Sequence, residues 1–553
     1  MDIQRMVNEM TLEEKVGQMF MLAFAANRLD EARTLIEEKF IGGCYLSHDN
    51  APTAQSALSL SNKLQEFAQI TPHRIPLILG VDQEGTWAVL VPESTTGPGN
   101  LALGASFQPD LTERMYEIIG TEMSAVGYNA VLAPCCDVNT NPLNPIIGMR
   151  SFGEKPDLVA EHSAAAVRGL HRAGEISAAK HFPGHGDTVH DSHRGIPRVD
   201  KTRAELAERE FLPFKSAIAA GVDMVMTSHI LYPKIDHENP ATFSRKILQG
   251  ILRQDFAFSG VVVSDSMNMK AIRSYYAHAE SAVLAILAGV DLIMLAEEHY
   301  DHDNATYLRK QLEMIQGVIA AVRSGRIEEQ TVDASVQRIL GLKSDRGLFE
   351  KIERTAEEIK VMGCPEHRRI EEEIAAQIVV RARDRSSLLP LSGKGITAVV
   401  SAVPGGAYEI VMATRGIGPN QREPAYAAFS TELASRLPRL KTFTHEQLLA
   451  GSPLPQALLQ SDRIIVVTED YTLPGTDFDT RSQLDLVRRL SERVGEKTIV
   501  VALRAPYDLD CYSRVSTYIT TSSSRPCAAI AAARALVGEV PLQDRLPVSV
   551  AAQ

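Results

Sequence analysis

Four histidines, two aspartates and a lysine fall within fourteen residues, Lys180-His-Phe-Pro-Gly-His-Gly-Asp-Thr-Val-His-Asp-Ser-His193. Loops this dense in titratable groups usually do chemistry, because a rigid scaffold holds them at a surface. Two chemistries fit. In the first, a carboxylate faces a proton donor across a glycosidic bond, one group attacking the anomeric carbon while the other protonates the leaving oxygen. A histidine serves as that acid because its pKa lies near neutrality. Asp191, two residues from His193, could orient the ring and stabilise the imidazolium, as the acid of a triad does. In the second, His181, His185, His190 and His193 with Asp187 or Asp191 could ligate zinc or another divalent ion. A barrel metal site normally draws on several strand ends, and His229 is the only further candidate.

Those residues need a frame. An apolar run at 176–179 leads straight into the histidine loop, as a buried strand would. Seven more short runs, at 19–24, 41–46, 77–81, 130–133, 224–226, 261–263 and 292–295, are separated by helical patterns. Most lack polar alternation, as expected of parallel strands covered on both faces. Thr11-Leu-Glu-Glu14 and Thr202-Arg-Ala-Glu205 are capping boxes that open helices, and Gly221 suits a helix stop. Eight such units predict a (β/α)8 TIM-type barrel, with a doubly wound sheet as the alternative. Polar residues gather just after the runs: Asp82 and Glu84, then Asp137 and Arg150, then Lys180 and His181, then Ser228 and His229, then Asp265. In a barrel those ends share one face, where active sites lie.

A chain of 553 residues is too long for one ordinary core. The expected division is a catalytic barrel over 1–345, a helical connector over 346–395 and a smaller C-terminal α/β sandwich domain over 396–553. Strands are expected there at 396–400, 463–467, 498–503 and 518–520, helices at 482–496 and 528–537, and one more short strand from 545. The net charge of −12 argues against nucleic-acid binding by bulk electrostatics. No apolar run is long enough to span a membrane. The start of the chain lacks the pattern of a secretory signal, and the six scattered cysteines suggest neither a disulfide framework nor zinc-ligand spacing. These features lead us to expect a cytoplasmic protein. They do not address oligomeric state.

The stretch KHFPGHGDTVHDSH resembles the signature of glycoside hydrolase family 3, in its β-N-acetylglucosaminidase branch. Further segments agree in order: MTLEEKVGQMF at 10–20, DQEG at 82–85, GPGNLALGAS at 97–106, RSFGEKPDLVAEHSAA at 150–165, VMTSHI at 225–230 and VVVSDSMNMKAI at 261–272. TLPGTDFD, RAPYDLD and GEVPLQDRLPV resemble the second domain of longer members, so the similarity covers nearly the whole chain. The resemblance implies that Asp265 is the nucleophile of a retaining exo-β-glycosidase that forms a covalent glycosyl-enzyme. It implies His193 as general acid/base with Asp191 as its partner, and Asp82, Arg150, Lys180 and His181 as groups holding the sugar's hydroxyls. It implies no metal, no organic cofactor and a small carbohydrate substrate, terminal β-linked N-acetylglucosamine on an oligosaccharide or cell-wall fragment. His185 is expected to pack in the loop, His190 to be exposed, Asp187 to shape a turn, Glu84 to support the sugar-binding groups from behind, and Phe152 and Met269 to pack.

One segment departs from the pattern. The family usually reads DQEGGR, then Val, one variable residue and Arg; this chain has Thr86, Trp87 and Leu90 at the second glycine and the two arginines. Two planar, multidentate donors are thereby lost. Trp87, the only tryptophan, either stacks on a sugar ring or packs in the core or rim. Ser522-Ser-Ser-Arg525 likewise stands where relatives often have a Tyr-Gly-Tyr-Ser-like stretch. The alternatives to the leading expectation are a retaining β-glycosidase of other sugar specificity, a phosphate-dependent glycoside phosphorylase, a weakly catalytic sugar-binding or regulatory protein, and a barrel metallohydrolase.

Overall fold

The computed structural model describes every residue except 1, 26–27, 86, 88–89, 190–194, 297–303, 351–352, 414–418, 450–452, 472, 474–477 and 551–553. Eight short strands come first: β1 (Phe20–Leu22), β2 (Gly43–Leu46), β3 (Ile78–Val81), β4 (Ala130–Val131), β5 (Ile176–Phe182), β6 (Met224–Thr227), β7 (Val261–Val263) and β8 (Ile293–Leu295). Each falls on one of the eight apolar runs. All neighbours pair in parallel, in the order β7-β6-β5-β4-β3-β2-β1-β8, and a parallel bridge from Val263 to Leu292 joins the two ends into a barrel. Every residue of the eight strands is buried, because side chains of one parity fill the barrel and those of the other meet the helical ring. Both capping boxes form, each threonine taking the N–H of the glutamate three residues on. Among the described residues no helix is long and apolar enough to cross a membrane.

The second sheet contains β9 (Val380–Asp384), β10 (Thr397–Ser401), β11 (Leu440–Phe443), β12 (Arg463–Glu469), β13 (Thr498–Leu503) and β14 (Thr517–Thr520). Their order is β11-β10-β12-β13-β14-β9, parallel except that β9 runs antiparallel to β14. Its four inner strands, β10, β12, β13 and β14, are buried on both faces. Val399, Ile465 and Val501 meet one helical layer that includes Ala532 and Phe429. Val400, Val466 and Val500, offset by one residue from that set, meet Leu486, Val487 and Leu490 of the helix Arg481–Val494 on the other. Two edge strands, β9 and β11, were not among the expected runs. The short strand expected from 545 does not form. Instead the Pro547 carbonyl accepts the Glu154 N–H at 3.2 Å and Val548 packs with Leu101 and Met149 of the barrel and with Ala505.

Candidate active site

The carboxyl ends of β3, β4 and β5 deliver five ionisable groups to one buried cluster, with Arg150 arriving from the loop after β4. Glu84 is its hub. Arg150 donates Nε–H to Glu84 Oε2 and Nη2–H to Glu84 Oε1, both at 2.8 Å, a bidentate pair. The Lys180 ammonium reaches Glu84 Oε1 and Asp82 Oδ1, each at 2.5 Å. The second Asp82 oxygen accepts the Tyr45 hydroxyl at 2.9 Å. Burial disfavours the charged form of Glu84, but Arg150 and Lys180 outweigh it and hold its pKa down at about 2. Reciprocally, burial pulls the Lys180 and Arg150 values down while Asp82 and Glu84 raise them above the ordinary range. Two carboxylates thus balance two cations without water between them.

Asp137 organises the next layer. Its Oδ2 accepts from His181 Nδ1 at 2.7 Å and from the Cys135 thiol at 3.2 Å, and its Oδ1 accepts the His185 N–H at 2.6 Å. Burial opposes its ionisation, yet His181 and these donors hold it far below the usual carboxylate range. A carboxylate only accepts, so His181 carries a hydrogen on Nδ1, and its Nε2 lies 3.4 Å from Arg150 Nη2. Asp137 therefore fixes both the ring orientation of His181 and the first turn of the histidine loop. That loop lies directly on the β4 loop: a Cβ added at Gly186 would meet the Val138 carbonyl oxygen at 1.8 Å, so no other residue fits. His185 is buried; burial, then His181, lowers its pKa to about 4, so it is neutral at neutral pH. Its Nδ1 lies 2.9 Å from Thr188 Oγ1. It packs in the loop, as expected, and Asp187 takes a hydrogen bond from Thr140 at 3.1 Å.

The segment carrying Arg150 is held from two sides. Its carbonyl accepts from Asn100 at 2.6 Å, and Asn100 is in turn held by the Tyr116 hydroxyl. A side chain at Gly104 would meet the Phe152 carbonyl at 1.8 Å. Phe152 stacks on His162 with ring centroids 5.3 Å apart, confirming its packing role, and Met269 is buried. Met149 is clamped against Ala505 of the second domain, while Asn139 donates to the Tyr507 hydroxyl at 2.8 Å. The second sheet's loops therefore brace the barrel face from which the sugar-binding candidates rise.

Asp265 follows β7 and is half-buried. Its Oδ1 accepts the Ser266 N–H at 2.8 Å, and its charge acts on His185, which places the two within electrostatic reach. Buried His229 lies 2.8 Å from Thr242 Oγ1 and 3.0 Å from the Ser266 carbonyl, pinning the loop that begins at Asp265. Asp82, Arg150, Lys180 and His181 thus converge as the sequence suggested. Asp191, His193 and His190 lie outside the described residues. Two contributions were not foreseen: Glu84 is the centre of the network rather than a support behind it, and Asp137 is the anchor of His181. The signals were present, a second acid two positions after Asp82 and a lone acid closing the fourth run. Among the described residues one trio, Cys135, Asp137 and His181, brings metal-ligand types within 4.8 Å of one another; its atoms already hydrogen-bond to each other, and burial pushes the Cys135 thiol well up.

Alternating donors and acceptors of this kind match the hydroxyls of a sugar. Residues 11–342 match the glycosyl hydrolase family 3 N-terminal domain. The chain is 28% identical to a β-hexosaminidase A from Pseudoalteromonas piscicida, over 89% of this chain and 84% of the relative. It is 28% identical to a β-N-acetylglucosaminidase/β-glucosidase from Cellulomonas fimi, over 98% and 94%. The solved structure of a glycoside hydrolase family 3 β-N-acetylglucosaminidase from Paenibacillus sp. str. FPU-7 superposes with a TM-score of 0.85 at 32% identity, covering 98% of this chain and 99% of that one. With its barrel, its second sheet and the motifs that place these side chains, the chain belongs to glycosyl hydrolase family 3.

Proposed function

We propose that this protein is a retaining exo-β-glycosidase that removes terminal β-linked N-acetylglucosamine from small oligosaccharides or cell-wall fragments. The observation that carries the reading is the Asp82–Lys180–Glu84–Arg150 network standing at the same barrel face as Asp265. In the first step the Asp265 carboxylate attacks the anomeric carbon, the glycosidic bond breaks, and His193 gives its proton to the departing oxygen. In the second, water attacks that carbon, His193 takes a proton from it, and Asp265 leaves. Asp191 orients His193 throughout. Asp82 accepts from sugar hydroxyls, while Lys180 and Arg150 donate to them and His181 lines the same pocket. The names of the relatives support N-acetylglucosamine as the sugar. Six free thiols support residence in the reducing cytoplasm.

The test is turnover of aryl β-glycosides of N-acetylglucosamine, glucose, xylose and galactose, with and without phosphate. The expected outcome is phosphate-independent hydrolysis of the N-acetylglucosaminide, reduced about 10³-fold or more in Asp265→Asn. Release of sugar 1-phosphate would replace hydrolysis by phosphorolysis, and turnover of another sugar would move the specificity. No turnover of any of the four would overturn the reading.

A further inference from the structure

We propose that Trp87 positions Arg150 for the sugar by stacking beneath its guanidinium, and so does not itself serve as the sugar's platform. The inference rests on the glycosidase reading above. Trp87 is 3% exposed and Arg150 4% exposed. The Arg150 Cζ lies 4.1 Å from the centre of the indole ring. Glu84 takes Nε and Nη2 of the guanidinium in its own plane. A bidentate pair of this kind fixes the fork along its edge but resists tilting out of plane poorly. The indole face blocks that tilt, and a cation over an aromatic ring is held more strongly once both are out of water. The remaining edge, Nη1, makes one long contact of 3.4 Å to the Ile146 carbonyl. Nη1 is therefore the edge with donor capacity left for a sugar hydroxyl, and its direction depends on the tilt that Trp87 sets.

The loop that carries the indole is closed on itself. Gln83 accepts the Leu90 N–H at 2.9 Å and donates to Ser94 at 2.8 Å, and the Leu90 carbonyl meets the His48 ring at 2.9 Å. The indole N–H, although buried, has no hydrogen-bond partner among the described residues. The ring face is thus the part in use, and a phenyl ring supplies a face as well.

The experiment is steady-state kinetics of the full chain on an aryl β-N-acetylglucosaminide. Trp87→Leu should lower kcat/KM about tenfold, mostly through KM, and Trp87→Phe should recover most of that loss. In an Arg150→Lys background, which has no planar fork to hold, Trp87→Leu should cost less than about twofold more. Equal kinetics for the Leu and Phe variants, or the same tenfold loss in both backgrounds, would overturn the proposal. Should the Leu variant fail to fold, the wild type decides. Its single indole should change emission saturably on titration with N-acetylglucosamine, at the concentrations that inhibit turnover, and Arg150→Lys should lose that change; unchanged wild-type emission at saturating sugar overturns the proposal. Absence of wild-type turnover defeats the glycosidase reading itself, and this inference with it.

Discussion

Glu84 and Glu469, both buried at the carboxyl ends of strands, are held in opposite ways. Glu84, three residues past β3, is 2% exposed and faces Arg150 and Lys180. Glu469, the last residue of β12, is fully buried, and its partners are neutral: the hydroxyls of Tyr408 and Tyr471 and the Tyr426 N–H. Burial raises both values. For Glu84 the two cations reverse the effect and leave a pKa of about 2. For Glu469 the hydrogen bonds only moderate it, and the value stays above the ordinary one. Burial alone therefore says little about a carboxylate; the charge of the group opposite decides. In the barrel the acid holds two cations in place, whereas in the second domain it knits three tyrosines at a strand end.

The sharpest way to break this contrast is Glu84→Gln. It leaves two buried cations facing one carboxylate fewer, and should cost about 3–5 kcal/mol in stability. Because Lys180 and Arg150, the cations proposed to hold the sugar, both lose their anchor, kcat/KM should fall more than about 10²-fold, measured on protein still folded at low temperature. The next test is pH. The folded value of Glu84 lies below its ordinary 4.5, so its stabilisation is fully present above pH 4.5 and is lost as pH falls from there toward 2. Glu469, raised, opposes folding increasingly as pH climbs past 4.5. Urea midpoints of the wild type between pH 5 and pH 3 should therefore drop, and the gap to Glu84→Gln should narrow by about 3 kcal/mol at most over the full range. The smallest effect is expected from Glu469→Gln. It removes one acceptor from a neutral hydrogen-bond set, and should cost about 1 kcal/mol with kcat/KM unchanged within about twofold. A loss as large as that of Glu84→Gln would erase the distinction.

All eight barrel strands were visible in the sequence because each is covered on both faces and so is apolar throughout. The same logic explains what was not visible. Strands β9 (Val-Arg-Ala-Arg-Asp) and β11 (Leu-Lys-Thr-Phe) lie at the two edges of the second sheet and are only partly covered, so charged residues interrupt them. The apolar end of the chain erred the other way: Val548 is apolar because it packs on the barrel, with no sheet partner beside it. At the site, Asp82, Arg150, Lys180 and His181 were legible as polar residues placed after strand runs. The hub role of Glu84 was not, since sequence order does not tell which of two acids, two residues apart, will meet an arginine sixty-six positions downstream. Nor could the sequence choose between a sugar ring and core or rim packing for Trp87, because an indole face suits both; the structure sets the Arg150 guanidinium over that face.

The contact of Pro547 with Glu154 has a mechanical consequence. Glu154 stands four residues from Arg150, so load on the chain's final stretch would pass through the Pro547 and Ser549 hydrogen bonds to Glu154 and the packing of Val548 on Met149 into the loop that carries Arg150. An enzyme immobilised on a surface by that end would carry its load on the Arg150 loop. One tethered through its first helix, Ile3–Glu9, would leave that loop at rest, because this helix packs against Glu329–Asp345, an outer helix of the barrel.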